Sequence, residues 1–145
     1  MNRNRVTILL LFLCAFGVVL WAMARPSWIG DDLVVEARGH GRAWHFSYGD
    51  GRSDGRLVLP VGTKVEVRLR SDDFIYVFSC PDLELKEIAV PDLEFSIAFE
   101  TERVGTHTLA MDPMCGFQLA PGQTMGSLEI VSRSDFHRWL LHASK

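Results

Sequence analysis

The chain has 145 residues, a formal net charge of −3 and a hydrophobic fraction of 48%, enough for one modest domain and one further segment. Its 15 basic and 18 acidic residues are scattered. Nucleic acid is excluded as a partner because binding it requires a basic patch or stripe.

The further segment lies at the N-terminus, where residues 6–24 carry no charge. As a helix they would span about 28 Å, roughly the thickness of the hydrocarbon layer of a membrane. Arg3 and Arg5 precede them, which favours a cytoplasmic N-terminus. The small residues around Ala24 also fit a signal-peptide cleavage site. We expect residues 1–25 to be an uncleaved single-pass anchor in the cell membrane, and both interpretations place the rest on its outer, periplasmic or extracytoplasmic face.

Residues 26–133 consist mainly of short strand-like runs separated by turn signals about every ten residues. Val65, Val67 and Leu69 alternate with charged residues, a period of two that predicts a strand with one buried face. The run "DFIYVFSC" is β-branched and aromatic, as in an interior strand. Seven or eight such strands predict an all-β antiparallel sandwich.

Residues 134–145 have a different pattern. Ser134 is the candidate N-cap, and Phe136, Trp139 and Leu140 follow at helical spacing. We therefore predict a short C-terminal amphipathic helix.

The segment "MDPMCGFQLAPGQTM", residues 111–125, is rich in sulfur. Exported β-sandwiches with such a loop near the end of the chain resemble cupredoxins, in which a thiolate, imidazoles and a thioether bind copper. Core packing is the alternative, since Met and Cys are common gap-fillers in protein interiors. The candidate ligands are Cys115, Met125, Met111, Met114 and His107.

Other kinds of active site have no motif in the sequence. There is no nucleophile elbow, no zinc-protease or C-x-x-C motif, and no phosphate-binding glycine loop. Cys80 and Cys115 remain outside the N-terminal segment, and a disulfide between them is left open.

Three longer segments share a resemblance. They are "GHGRAWHFSYG", "LVLPVGTKVEVRLRSDDFIYVFSCPDLELKEIAVP" and "ERVGTHTLAMDPMCGFQLAPGQTMGSLEIVS". In this order they resemble the copper-bearing domain of subunit II of haem–copper respiratory oxidases (cytochrome c oxidase subunit II). The terminal "FHRWL" is similar to the family's last helix. The resemblance covers nearly all of residues 33–141 and implies a cupredoxin-like Greek-key β-sandwich.

The resemblance also implies a dinuclear copper (CuA) centre, with two histidines, two cysteines, a methionine and one backbone carbonyl as ligands. Cys115 and Met125 match two of these ligands. In this resemblance Tyr76 stands at the first histidine, Met111 at the first cysteine and Pro113 at the carbonyl donor. The second histidine would fall near Leu119, in a loop three residues longer than the family's. Trp44 matches the tryptophan where electrons enter, and Ile88 replaces an acidic residue of the cytochrome-facing surface.

Two bridging thiolates hold the copper ions of such a centre, so we expect no intact CuA centre and no resident cofactor. We predict a copper-free accessory subunit that partners subunit I in the membrane and does not catalyse by itself. One alternative is a mononuclear copper protein that uses Cys115 and Met125, with Met111 or His107, in delivery or in electron transfer with a redox protein. The other is a stand-alone exported binding module.

Overall fold

The computed structural model describes residues 32–49 and 53–142, which contain ten β-strands and two helices. The predicted anchor over residues 1–25 lies outside them. No helix within the described ranges is long and apolar enough to cross a bilayer. The strands are β1 (Leu33–His40), β2 (Ala43–Tyr48), β3 (Ser53–Asp54), β4 (Arg56–Pro60), β5 (Lys64–Ser71), β6 (Tyr76–Cys80), β7 (Leu85–Ala89), β8 (Phe95–Glu100), β9 (Gly105–Leu109) and β10 (Gly126–Val131). The helices are a 3₁₀ turn at Pro81–Leu83 and α1 at Arg133–His142.

Burial along the strands follows their sequence patterns. In β5, Val65, Val67 and Leu69 are buried and alternate with more exposed charged residues, which confirms the predicted strand. All five residues of β6 are buried, as its uninterrupted apolar and aromatic run indicates.

The strands form sheets of five, three and two strands, in the orders β3-β2-β1-β5-β8, β4-β10-β9 and β6-β7. The prediction of a purely antiparallel sandwich was wrong at two pairs, because β1 runs parallel to β5 and β4 runs parallel to β10. Parallel neighbours require a crossover connection, and each pair here is separated in the chain by at least one strand of another sheet. A hydrogen bond of 2.9 Å from the Ala110 N–H to the Ser79 carbonyl joins the β6-β7 hairpin to the end of β9.

One hydrophobic core lies between the sheets. Its largest fully buried side chains include Trp44 and Phe46 from β2 and Tyr76 and Phe78 from β6. This mostly β architecture with a short C-terminal helix is consistent with the predicted cupredoxin-like β-sandwich.

Helix α1 packs against this sandwich through its apolar residues. Phe136 and Trp139 are partly buried against the core, and the Trp139 ring lies 5.1 Å from that of Tyr48. The predicted cap at Ser134 was wrong by two residues, because Ser132 holds that role. Its hydroxyl accepts a hydrogen bond of 3.1 Å from the Asp135 N–H, the bond that satisfies a free donor in the first helical turn.

Candidate functional site

The loop between β9 and β10 is fixed to the sandwich through its backbone. The Gly116 N–H donates to the Ile75 carbonyl at 2.8 Å, which attaches the middle of the loop to the chain just before β6. The Met125 N–H donates to the Leu109 carbonyl at 2.9 Å and closes the end of the loop. The sulfur-rich segment is therefore an ordered part of the domain.

The sulfur residues differ in their surroundings. Met125 is only 3% exposed and belongs to the core, and Met111 and Cys115 are partly buried against the same cluster. Met114 is 60% exposed. Three of the four predicted sulfur ligands thus belong to the hydrophobic core or pack against it, and Met114 is not among them.

His107, the predicted imidazole ligand, lies on β9. Its Nδ1 is 3.4 Å from the carboxylate Oδ2 of Asp82, in the 3₁₀ turn. Across the described residues, no group of three or more His, Cys, Asp and Glu side chains is arranged to hold a metal ion.

Tyr76, which the resemblance aligns with the family's first histidine, is fully buried at the start of β6. Its hydroxyl donates to Asp73 Oδ1 and accepts from the Arg42 N–H, each at 2.9 Å. Its ring lies between those of Trp44, at 5.3 Å between centroids, and Phe117, at 4.9 Å. Tyr76 therefore fills its space and uses its hydroxyl entirely within the protein.

Gly39 lies directly against the Tyr76 ring. A Cβ atom at Gly39 would come within 2.5 Å of Tyr76 Cδ2, closer than real Cβ atoms approach other atoms. The sequence shows this glycine, but nothing in it shows that the residue makes room for a side chain 37 positions later.

The electrostatics of the Tyr76–Asp73 pair favour a neutral phenol beside a charged carboxylate. Burial, together with the Asp73 carboxylate, raises the pKa of Tyr76 to about 12 against the opposing hydrogen bond from Arg42. Burial also acts to raise the pKa of Asp73. Hydrogen bonds from the Gly41 N–H, the Tyr76 hydroxyl and the Phe74 N–H outweigh it, so the pKa of Asp73 is lowered. Sequence reasoning missed this pair, because an aspartate three residues before a tyrosine does not by itself indicate that the two side chains meet.

A second polar contact holds the sulfur-rich loop against β7. The Lys86 ammonium lies 2.7 Å from Asp112 Oδ2, and the Met114 N–H donates to Asp112 Oδ1 at 2.9 Å. The hydrogen bond from Lys86, and then that from Met114, lowers the pKa of Asp112. Sequence reasoning missed this clamp because 26 residues separate its partners.

Cys80 and Cys115 are both free thiols, so the disulfide left open by the sequence is not formed here. Cys80 is fully buried, and burial raises the pKa of its thiol. Cys115 is half-buried, and its N–H donates to the Asp112 carbonyl at 3.0 Å.

Trp44, the predicted electron-entry residue, is only 1% exposed. Its indole Nε1 is buried and has no hydrogen-bond partner among the described residues. Near it, the turn at Gly41 and Arg42 and loop residues 118–124 line an open cleft of about 680 Å³. Leu119, at the position of the second histidine, lines this cleft and packs partly against the core. The electron-entry role of Trp44 stays a prediction.

Comparison with known proteins gives consistent matches. Residues 51–122 match the family model of the cytochrome c oxidase subunit II periplasmic domain. A cytochrome c oxidase subunit 2 from Thermostichus vulcanus is 33% identical over 135 residues, which cover 85% of this chain and 40% of that protein. An alternative cytochrome c oxidase subunit 2 from Bradyrhizobium diazoefficiens is 32% identical over 110 residues, covering 76% of this chain and 33% of that protein.

The fold is also found among solved structures. The periplasmic domain of subunit II of the cytochrome oxidase of Bradyrhizobium japonicum superposes with a TM-score of 0.64 at 19% identity. The superposition covers 77% of this chain and 92% of that domain, so the two share a fold. The chain spans less than half the length of the two curated relatives described above.

Proposed function

This chain is a cytochrome c oxidase subunit II-like protein, and on that premise we propose that it is a copper-free structural subunit of a haem–copper oxidase-type complex. The subunit II family belongs to such complexes, so subunit I is the proposed partner. In this proposal residues 1–25 anchor the chain in the membrane, residues 26–133 form the extracytoplasmic domain, and residues 134–145 form its closing helix.

The environment of Tyr76 is the observation that carries the proposal. A copper ligand at this position has to offer a lone pair to the metal, and imidazole is the family's choice. The Tyr76 hydroxyl is instead held between Asp73 and the Arg42 N–H, and with a pKa of about 12 it stays protonated at neutral pH. Tyr76 therefore does not fit the first histidine's place in a CuA centre.

The rest of the ligand set supports the same conclusion. Cys115 alone cannot provide the two thiolates that bridge two copper ions, and the thioether of Met111 carries no negative charge. The loop is nevertheless ordered, because the Lys86–Asp112 contact and the Gly116–Ile75 hydrogen bond attach it to the sandwich. In this proposal, contacts within the protein thus order the loop in place of bound copper.

The test is to express the full chain in copper-supplemented cells, purify it in mild detergent, and measure bound copper and the visible to near-infrared spectrum. We expect far less than one copper per chain, no thiolate-to-copper absorption, and co-purification with larger haem-bearing subunits. A triple variant, Tyr76→His, Met111→Cys and Leu119→His, is the matched comparison, and we expect it to take up more copper. Two coppers per wild-type chain would refute the proposal, as would recovery of the chain without haem-bearing partners.

A mononuclear copper protein is the second candidate, favoured by the packing of Met111, Cys115 and Met125 against the same core cluster. Cu(I) accepts sulfur-rich sites of low coordination number. Competition with a Cu(I) chelator measures this directly. Tight binding that Cys115→Ser abolishes, with the fold unchanged, would favour this second function over the first.

A further inference from the structure

We propose that Tyr76 is a redox-active tyrosine, whose phenolic proton passes to Asp73 when the ring loses one electron. This activity goes beyond the proposed structural role and does not depend on whether copper binds. It rests on the hydrogen bond between the two side chains and on the aromatic cluster around Tyr76.

The first support is the proton acceptor. The Tyr76 hydroxyl donates to Asp73 Oδ1 at 2.9 Å, within the range over which a positioned base takes a proton. The Gly41 N–H donates to the other oxygen, Oδ2, at 2.8 Å and keeps the carboxylate oriented. The Arg42 N–H donates to the phenolic oxygen and can hold it in place as the proton leaves.

The second support is the surrounding cluster. Tyr76 is fully buried, with the rings of Trp44 at 5.3 Å and Phe117 at 4.9 Å, so neighbouring side chains separate it from solvent. Trp44 is also oxidisable, but its buried Nε1 has no proton acceptor among the described residues. After one-electron oxidation of either ring, the radical is therefore expected to reside on Tyr76, because loss of the phenolic proton stabilises the oxidised tyrosine.

Tyr48 is the other tyrosine of the chain and serves as the comparison in the experiment. It is also buried, and its hydroxyl donates to the Val58 carbonyl at 2.9 Å. Because the proposal assigns the radical to Tyr76, oxidation mainly at Tyr48 is the outcome against which it is tested.

The oxidation of Tyr76 conserves atoms and charge. A one-electron oxidant, a high-potential metal centre by chemical class, takes one electron from Tyr76. The phenolic O–H bond breaks, and the proton forms a new O–H bond on Asp73 Oδ1. The products are a neutral tyrosyl radical, a neutral aspartic acid and the reduced metal centre, and an electron returned from a one-electron donor reverses the step.

The experiment oxidises the full chain in detergent with a photogenerated ruthenium(III) polypyridyl complex, and detects radicals by electron paramagnetic resonance. A tyrosyl signal is expected in wild type and in Tyr48→Phe, and none in Tyr76→Phe. Asp73→Asn keeps an oxygen acceptor but removes the base, so the tyrosyl yield should fall by about tenfold or more. Circular dichroism checks that each variant is folded.

Wild-type protein supplies a measurement that needs no substitution. A nitroso spin trap added during oxidation should form its adduct mainly on the peptide containing Tyr76, as located by mass spectrometry. An adduct mainly on Tyr48, a signal confined to tryptophan, or an unchanged yield in Asp73→Asn would each overturn the inference. Copper analysis of the same samples keeps this outcome separate from that of the proposed function.

Discussion

At the scale of single residues, the interior of this domain is organised around Tyr76. The tyrosine stands where relatives of this family are expected to carry a metal ligand, and its polar and apolar parts are both accommodated. Asp73 and the Arg42 N–H satisfy the hydroxyl, whereas Trp44 and Phe117 pack on the ring. A buried polar group with complete hydrogen bonding carries little cost, which explains how a tyrosine is accommodated at this place in the core.

Gly39→Ala should destabilise the domain, because the new Cβ would lie 2.5 Å from the buried Tyr76 ring. Overpacking of this kind costs about 1–3 kcal/mol in the free energy of unfolding. Gly49→Ala is the matched control, since a Cβ there meets nothing within 4 Å and should change stability by less than about 0.5 kcal/mol. Urea unfolding followed by tryptophan fluorescence compares the two, and equal midpoints would contradict the packing described here.

The ionisation of Tyr76 should make stability depend on alkaline pH. Its pKa in the folded state is about 12, above the ordinary value of 10.0, so the unfolded chain releases this proton first. Stability is therefore fully present below about pH 10 and declines as the pH rises towards 12. The free energy of unfolding should fall less steeply over this interval in Tyr76→Phe than in wild type.

Absorbance titration of Tyr48→Phe, in which Tyr76 is the remaining tyrosine, should give a midpoint clearly above pH 10. A midpoint at the ordinary value of 10.0 would count against the buried pair of Tyr76 and Asp73.

Sequence reasoning located the residues at this scale better than it located their contacts. The resemblance placed Tyr76, Met111 and Leu119 at lost ligand positions, because each lies within a motif that can be aligned. It did not predict that Gly39 and Asp73 would contact Tyr76. Those contacts arise when β1, the loop before β6 and the tyrosine meet in three dimensions, and no local pattern records such a meeting.

At the scale of elements, the strands were predictable and their connections less so. The alternation in β5 and the apolar run of β6 indicate how much of each strand is buried, since side chains alternate between the faces of a sheet. Strand direction depends instead on which distant strands pair, so the parallel pairs β1–β5 and β4–β10 were missed. The helix cap at Ser132 was missed by two residues, within the usual uncertainty of helix boundaries.

The contact between Lys86 and Asp112, which holds the loop between β9 and β10, gives a prediction. Lys86→Met removes the ammonium that contacts Asp112 and keeps an apolar stem of similar length, so the loop should open more often. Amide hydrogen exchange at Cys115 and Gly116 should become faster by a factor of roughly 3 to 10, the range expected for the loss of one hydrogen bond.

Lys64→Met is the control for this change, because Lys64 lies exposed at the start of β5, away from the loop. Exchange at Cys115 and Gly116 should stay unchanged in that variant. Because the pKa of Asp112 is lowered, the protection of these amides in wild type, corrected for the intrinsic pH dependence of exchange, should also fall as the pH drops through the titration of this carboxyl. Equal rates in both lysine variants would show that the backbone bonds alone hold the loop.

At the scale of the whole molecule, the domain shares the sandwich of the subunit II periplasmic domain, and in our proposal its ligand positions have changed. The cupredoxin-like core, the C-terminal helix and the ordered loop are all present in the described residues. Fold and metal site are separable because the core is stabilised by buried apolar side chains from every sheet, whereas the centre depends on a few exchangeable ligands.

The stability of the full chain should therefore be insensitive to copper. A ligand present at 100 times its dissociation constant stabilises the folded state by about 2.7 kcal/mol. For a domain of this size such a gain raises the melting temperature by roughly 8–15 °C. We expect a shift below about 1 °C on addition of Cu(II), or of Cu(I) under reducing conditions, measured by differential scanning calorimetry in detergent.

Cys115→Ser should melt with and without copper as wild type does, apart from any constant offset due to the substitution. A rise of several degrees in wild type that disappears in Cys115→Ser would instead identify Cys115 as a copper ligand. A rise that persists in the variant would place copper elsewhere on the molecule, since the loop would then have lost its only thiolate.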